Sequence, residues 1–293
     1  LGYQDDVLDP SVYIKFHLVQ STGHGDEADE RLFNLINSRT TYLLAWTTTP
    51  WTLPGNTALA VAPDAEYVVV QNLDEYLILG GALLEQVGLD KRDEIARFKG
   101  SDLIGAEYKP LYDPHDFGVS RFSMPEFIVL QKPEPNPLTK RGFTYRVIEG
   151  KIADNVFVTL DEGTGVVHIA PAFGEIDYDA GASYNLSFVQ PVDLQGRITG
   201  TYPFSGKFVK DADKDIIADL KISGLLFRGE KIRHTYPFCW RCESPLLYYA
   251  KQTWYIKTTA LKDRLIALNQ EINWYPEHIK YGRFGDWLEY NVD

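Results

Sequence analysis

A mixed α and β, strand-dominated fold, with a β-barrel core and short peripheral helices, is predicted by three features of the sequence. Short stretches alternate apolar and polar residues, turn residues punctuate them, and stretches with helical spacing are few and brief. Residues 12–19, 42–48, 66–72 and 145–152 alternate with period two and read as half-buried strands. Further strands are expected over 156–160 and immediately around His168. Apolar residues recur at helical spacing over 82–89 and 212–222, and most clearly at Leu261, Leu265, Ile266 and Leu268, while another helix is expected to start near Glu175. Helices and strands do not alternate regularly, which disfavours a doubly wound sheet and favours an open or closed barrel decorated with helices.

Two polar or Pro-rich stretches read as inserted surface loops, near 21–30 and 112–143, the second containing Pro133, Pro135 and Pro137 and ending at Lys140, Arg141 and Gly142. The texture changes near residue 235, where an aromatic-dense, more basic segment begins. Residues 1–235 are therefore read as one domain and 236–293, with Trp240, Trp254, Trp274 and Trp287, as a separate exit segment.

The 293 residues are 44% hydrophobic and 24% charged, which excludes disordered and collagen-like classes. Residue 1 is Leu and Met124 is the single methionine, so the sequence reads as a piece of something longer or a processed product. No stretch approaches the roughly 20 apolar residues of a membrane span, and no secretory signal opens the chain. The net charge of −12 excludes nucleic-acid binding by general attraction, because phosphate affinity comes from Lys and Arg displacing counterions. Any such contact must be local, at Arg228, Lys231 and Arg233 or at Lys140 and Arg141. Cysteine is confined to Cys239 and Cys242, a reducing-compartment pattern that points to the cytoplasm.

No glycine-rich dinucleotide loop, P-loop, zinc-protease helix or nucleophile elbow is present. Three segments carry chemistry instead. The first runs from Trp46 to Asn56, Trp-Thr-Thr-Thr-Pro-Trp-Thr-Leu-Pro-Gly-Asn, in which threonine hydroxyls can bind a polar backbone while their methyl groups meet a small aliphatic side chain. Pro50 and Pro54 stiffen it. The second runs from Gly163 to Tyr178 and contains His168, Glu175 and Asp177. Its acidic residues fall in a first helical turn and its glycines allow close approach of another molecule to the backbone. The third, His234 to Cys242, holds one Cys-x-x-Cys, which supplies two of the four ligands of a structural zinc.

These three motifs, in this order and over nearly the whole chain, resemble the editing domain of isoleucyl-tRNA synthetases, a module inserted into a class I catalytic core. In the valyl and leucyl relatives the first motif reads Thr-Thr-Arg-Pro, and the position of His168 is not a histidine. The resemblance implies a β-barrel editing domain that hydrolyses the ester of valyl-tRNA(Ile), and valyl-adenylate by the same chemistry. A hydrophobic synthesis site cannot strongly reject a substrate one methylene smaller, this family being the standard illustration of that limit, so a second and smaller site removes the error.

By the same resemblance, Asp177 binds the substrate α-ammonium group, and Thr48 and Thr49 act with it around the ester and the attacking water. Thr47, Thr52, Asn56 and His168 line the valyl pocket, with Trp51 as a wall. The implied partners are the 3′-acceptor end of tRNA(Ile) carrying valine and the rest of the parent synthetase. Editing needs no cofactor. Zinc is implied only for the full-length parent, where a second Cys-x-x-Cys upstream completes the half-site of Cys239 and Cys242. The class I signatures His-Ile-Gly-His and Lys-Met-Ser-Lys-Ser are absent from this chain, so ATP binding and aminoacylation belong to the parent. Two alternatives remain at this level: an acceptor-end binding module without hydrolysis, and an editing domain of the valyl or leucyl enzymes.

Overall fold

The computed structural model describes residues 2–124, 144–251, 253–254 and 256–292. By compactness the chain divides into two units, Leu1–Ala250 and Lys251–Asp293, whereas the change of texture in the sequence lies near 235.

The first unit is built on one long strand, β1 (Gly2–Gln20). The other strands of the sheet system follow in order: β2 (Thr41–Thr47), β3 (Ala58–Val61), β4 (Glu66–Asn72), β5 (Glu75–Gly80), β6 (Glu94–Lys99), β7 (Glu107–Tyr108), β8 (Arg121–Ser123), β9 (Arg146–Glu149), β10 (Lys151–Ile152), β11 (Asn155–Val156), β12 (Val166–Ile169), β13 (Ser187–Val189) and β14 (Leu226–Phe238). Ten of them form one sheet in the order β12-β3-β9-β7-β1-β2-β5-β4-β6, with β14 paired to β1. The ladder is mixed, since β2 pairs with β5 and β3 with β9 in parallel.

This corrects the barrel expectation: the fold is a mixed, strand-rich α/β structure whose large sheet is not a closed barrel. Among the described residues its terminal strands, β12 and β6, each pair with one neighbour only, β3 and β4 respectively. Hydrophobic periodicity reports how many faces of a strand are buried but not which strand lies beside it. An open sheet and a closed one therefore read alike.

The strands feed cores on both faces. Val12, Ile14, Phe16 and Leu18 of β1, with Leu43, Ala45, Tyr67 and Val69, join the main core, whereas Tyr13, Leu44, Val68, Val70 and Leu79 pack on the other side. Residues 66–72 are thus buried on both faces over Tyr67–Val70, beyond the half-burial expected. The strand expected over 145–152 is divided into β9 and β10 around Gly150, where an added Cβ would meet Val158 at 2.4 Å.

Helices cover the sheet: α1 (Glu27–Ser38), α2 (Leu84–Val87), α3 (Glu175–Ser183) and α4 (Val209–Ile222). The loop expected near 21–30 ends early, because Asp26 caps α1 by accepting the Asp29 N–H at 2.8 Å and the acidic first turn suits the helix dipole. Of the loop expected near 112–143, residues 125–143 lie outside the described residues, and with them Lys140 and Arg141. The second unit contains α5 (Lys262–Glu271), α6 (His278–Tyr281) and α7 (Arg283–Tyr290), tied by Trp274 donating to Asn269 Oδ1 at 2.8 Å. Among the described residues no helix is long and apolar enough to cross a membrane.

Candidate functional site

The turn after β2 is the densest polar feature of the core. Thr47 ends β2, Thr48 occupies a half-buried bend, and Thr49 precedes a 3-10 turn, Pro50–Gly55, whose six residues are all buried. Pro50 stands at the first position of that turn, where a missing N–H costs nothing and its ring presets the backbone.

The threonine hydroxyls run in a chain to His168. Thr47 Oγ1 and Thr49 Oγ1 are 3.3 Å apart, Thr49 Oγ1 and Thr52 Oγ1 are 3.3 Å apart, and Thr52 Oγ1 is 3.1 Å from His168 Nε2. Thr52 has one hydroxyl proton and donates it to the Thr49 carbonyl at 2.8 Å. His168 Nε2 is then the N–H, leaving Nδ1 as a buried acceptor without a partner among the described residues. Burial lowers the His168 pKa to about 4, so the ring is neutral at pH 7. Strand β12 fixes this ring by pairing His168 opposite Leu59 of β3.

Asp177 is delivered by α3, in the first turn of that helix. Its carboxyl folds back over Gly174, where an added Cβ would lie 2.9 Å from Oδ2. Burial raises its pKa to about 7, opposed by a hydrogen bond from the Ala170 backbone. Ala170 follows β12 directly, so one short segment carries His168 and anchors Asp177. The contacts that join the threonines to His168 do not extend to Asp177 itself. Gly163 and Gly165 lie close to neighbours within the chain. At φ of +74° and +71°, they let the chain pass Trp46 and Leu160, which an added Cβ would meet at 2.9 and 2.8 Å.

Asn56 is buried and fully engaged. Its Nδ2 donates to the carbonyls of Ala58 at 2.8 Å and Ile169 at 3.4 Å, while Oδ1 accepts from Tyr108 at 2.7 Å. It braces the turn against β12 and β3. Trp51 lies inside the core, its ring edge-on to Phe173 at 5.0 Å, with Nε1 buried and unpartnered among the described residues.

Cys239 and Cys242 stand apart from this site. Cys239 is half-buried and Cys242 exposed, both are free, and Cys242 Sγ donates to Ser244 Oγ at 3.4 Å. Among the described residues no third His, Cys, Asp or Glu joins them into a metal-binding group. Two thiols alone do not complete a tetrahedral zinc site.

Sequence reading missed two residues of the site. Tyr108, from β7, holds Asn56 from across the core, and nothing in its local pattern marks it. Asp213, from α4, accepts the Trp51 N–H at 2.9 Å. Its signal was available: α4 buries Val209, Ala212, Asp213, Ile216 and Leu220, one stripe at helical spacing in which Asp213 is the charged member.

The row of hydroxyls and the neutral imidazole form one array on the turn and β12, and the segment that follows β12 adds a carboxyl of raised pKa. Such an array can orient a small polar substrate and a water without a nucleophile of its own.

Comparison with known proteins places the chain in a family. The family described as tRNA synthetases class I (I, L, M and V) matches residues 26–293. The chain is 52% identical over 292 residues to an isoleucine–tRNA ligase of Dehalococcoides mccartyi strain CBDB1, covering 100% of this chain and 28% of that protein. It is 43% identical over 262 residues to that of Bacillus thuringiensis strain Al Hakam, covering 89% of this chain and 23% of the relative. The chain thus spans about a quarter of the length of the curated relatives it matches. Among solved structures, GlLeuRS-CP1 shares the fold with a TM-score of 0.51 at 18% identity, over 75% of this chain and 99% of that one.

Proposed function

We infer function from family: this chain belongs to the class I tRNA synthetases (I, L, M and V). It is the editing segment of an isoleucine enzyme, and its reaction is hydrolysis of the ester that links valine to tRNA(Ile), with valyl-adenylate as a second substrate. The observation that carries this reading is the continuous chain from Thr47 through Thr49 and Thr52 to His168. An aminoacyl ester is already activated, so holding it beside an oriented water supplies the acceleration such a site must provide.

In this mechanism the Asp177 carboxylate pairs with the substrate α-ammonium group. Arrival of that cation favours the ionised carboxyl, drawing its pKa down from about 7. The threonine hydroxyls, with Thr48 beside them, position the carbonyl and the water, and their methyl groups leave room for valine but not for one more methylene. Neutral His168 keeps Nδ1 as a buried acceptor at the end of the hydroxyl row. No step passes through a metal. Zinc remains a property of a longer parent, to which Cys239 and Cys242 would contribute half the ligands.

The alternative of an acceptor-end binding module would rest on two basic clusters, of which Lys140 and Arg141 lie outside the described residues and Lys231 belongs to the other. Arg228 is engaged by Glu230, the Val87 carbonyl and the Tyr13 ring, and Arg233 by the Asp6 carbonyl. The test is incubation of the chain with valyl-tRNA(Ile) and isoleucyl-tRNA(Ile). Selective loss of the valyl ester is expected. Loss of both esters, or of neither at high protein concentration, counts against the assignment.

A further inference from the structure

The Pro50–Gly55 turn is capped in an unusual way. A threonine in front of a helical turn ordinarily turns its hydroxyl inward to accept a backbone N–H from the first turn. Thr49 makes no such bond. Pro50 has no N–H to offer, the Thr52 N–H goes to the Thr49 carbonyl at 3.0 Å, and the Trp51 N–H is left as the donor that needs an acceptor. Asp213 Oδ1 takes it at 2.9 Å, from a helix 162 residues away in sequence.

This acceptor occupies a position that packing alone would fill otherwise. Asp213 is 3% exposed and lies on the apolar stripe of α4, whose other buried members are Val209, Ala212, Ile216 and Leu220. A carboxyl there is costly, and burial raises its pKa to about 7 even though Lys210 and the Trp51 N–H oppose the rise. A leucine would suit the stripe better. A residue that disfavours packing but makes one bond to the threonine-rich turn is best explained by that bond.

We propose that Asp213 is a positioning residue for the editing site: by capping the turn from α4 it leaves the Thr49 hydroxyl to the row that connects Thr47, Thr52 and His168. Without it, the Trp51 N–H would compete for the Thr49 hydroxyl, rotating that group out of the row. The proposal rests on the hydrolytic reading of this site, since positioning matters only where the hydroxyls meet substrate. Its direct effect on the turn is independent of that reading.

Two substitutions test it. Asp213→Leu fills the stripe with a side chain of similar shape and no acceptor, whereas Asp213→Asn keeps an acceptor oxygen and removes the charge. The valyl ester should be hydrolysed about 10- to 100-fold more slowly by Asp213→Leu, in kcat rather than KM, and within about 3-fold of the original rate by Asp213→Asn. Thermal unfolding of the Leu variant should show an undiminished midpoint, which a purely structural role would not allow alongside lost activity. Hydrogen exchange over residues 47–56 gives a readout without substrate: the Trp51 amide should exchange at least about 10-fold faster in Asp213→Leu and near the original rate in Asp213→Asn. Unchanged kcat and unchanged Trp51 exchange in the Leu variant would overturn the proposal, as would an Asn variant as impaired as Leu. If the unaltered chain hydrolyses neither ester, the functional assignment falls while Trp51 exchange still decides the role of Asp213. Should Asp213→Leu fail to fold, Asp213→Ala takes its place in the same two assays.

Discussion

The threonine-rich turn and the Cys-x-x-Cys segment are both short, unusual motifs, yet the first unit sets them in opposite surroundings. Thr47, Thr52, Asn56 and the whole Pro50–Gly55 turn are buried, and residues from β7, β12 and α4 hold them. Cys242 is exposed, and its polar partners lie within its own loop. A motif gripped by distant elements is constrained in geometry, which orientation-dependent chemistry requires. One left at the surface with local partners has no such constraint.

The sharpest contrast concerns Asp177. Asp177→Ala should lower valyl-ester hydrolysis by more than about 100-fold without unfolding the chain, as measured by single-turnover deacylation and circular dichroism. A variant that still hydrolyses at the original rate would remove Asp177 from its role. Thr52→Val preserves shape and deletes the hydroxyl that links Thr49 to His168, so a loss of about 10-fold in kcat is expected. Equal rates for Thr52→Val and the unaltered chain would show the hydroxyl row to be packing alone.

Next in size is a pH effect. The folded-state pKa of Asp213 is raised from 3.8 to about 7, so between those values the folded state binds more protons than the unfolded one. Stability contributed by its protonated form is full below about pH 4 and lost as pH rises through about 7. Asp213→Asn should flatten this slope by about 1–3 kcal/mol between pH 4 and 7.5, read from urea unfolding across that range. An identical slope in both proteins would show that the carboxyl does not titrate in this window. The smallest effect belongs to the other motif. Replacing Cys239 and Cys242 by serine should leave valyl-ester hydrolysis within about 2-fold and the unfolding midpoint within about 2 °C, because neither thiol is fully buried.

Much of this arrangement was legible beforehand, for reasons of range. Strand β4 was found at its observed ends, and α4 within a few residues, because period-two and helical spacing record burial locally. Helix α1 goes unread in the sequence, its first residues falling in the stretch that reads as a loop, because polar, glycine-rich surroundings hide the capping role of Asp26. Asp213 could have been noticed as a charge on an apolar stripe, but its target, the Trp51 N–H, has no local trace.

Residue types and spacing settled that strands dominate, that threonines cluster at one stiff turn, and that the three motifs follow one family's order. These depend on interactions within a few residues, which a linear pattern encodes. Tertiary structure alone decided that the sheet stays open, that Asn56 faces inward as a brace, and that the hydroxyl row ends on His168 with its cap supplied by α4. Each of those outcomes depends on which of many compatible surfaces meet, and that choice is made by packing the whole core at once.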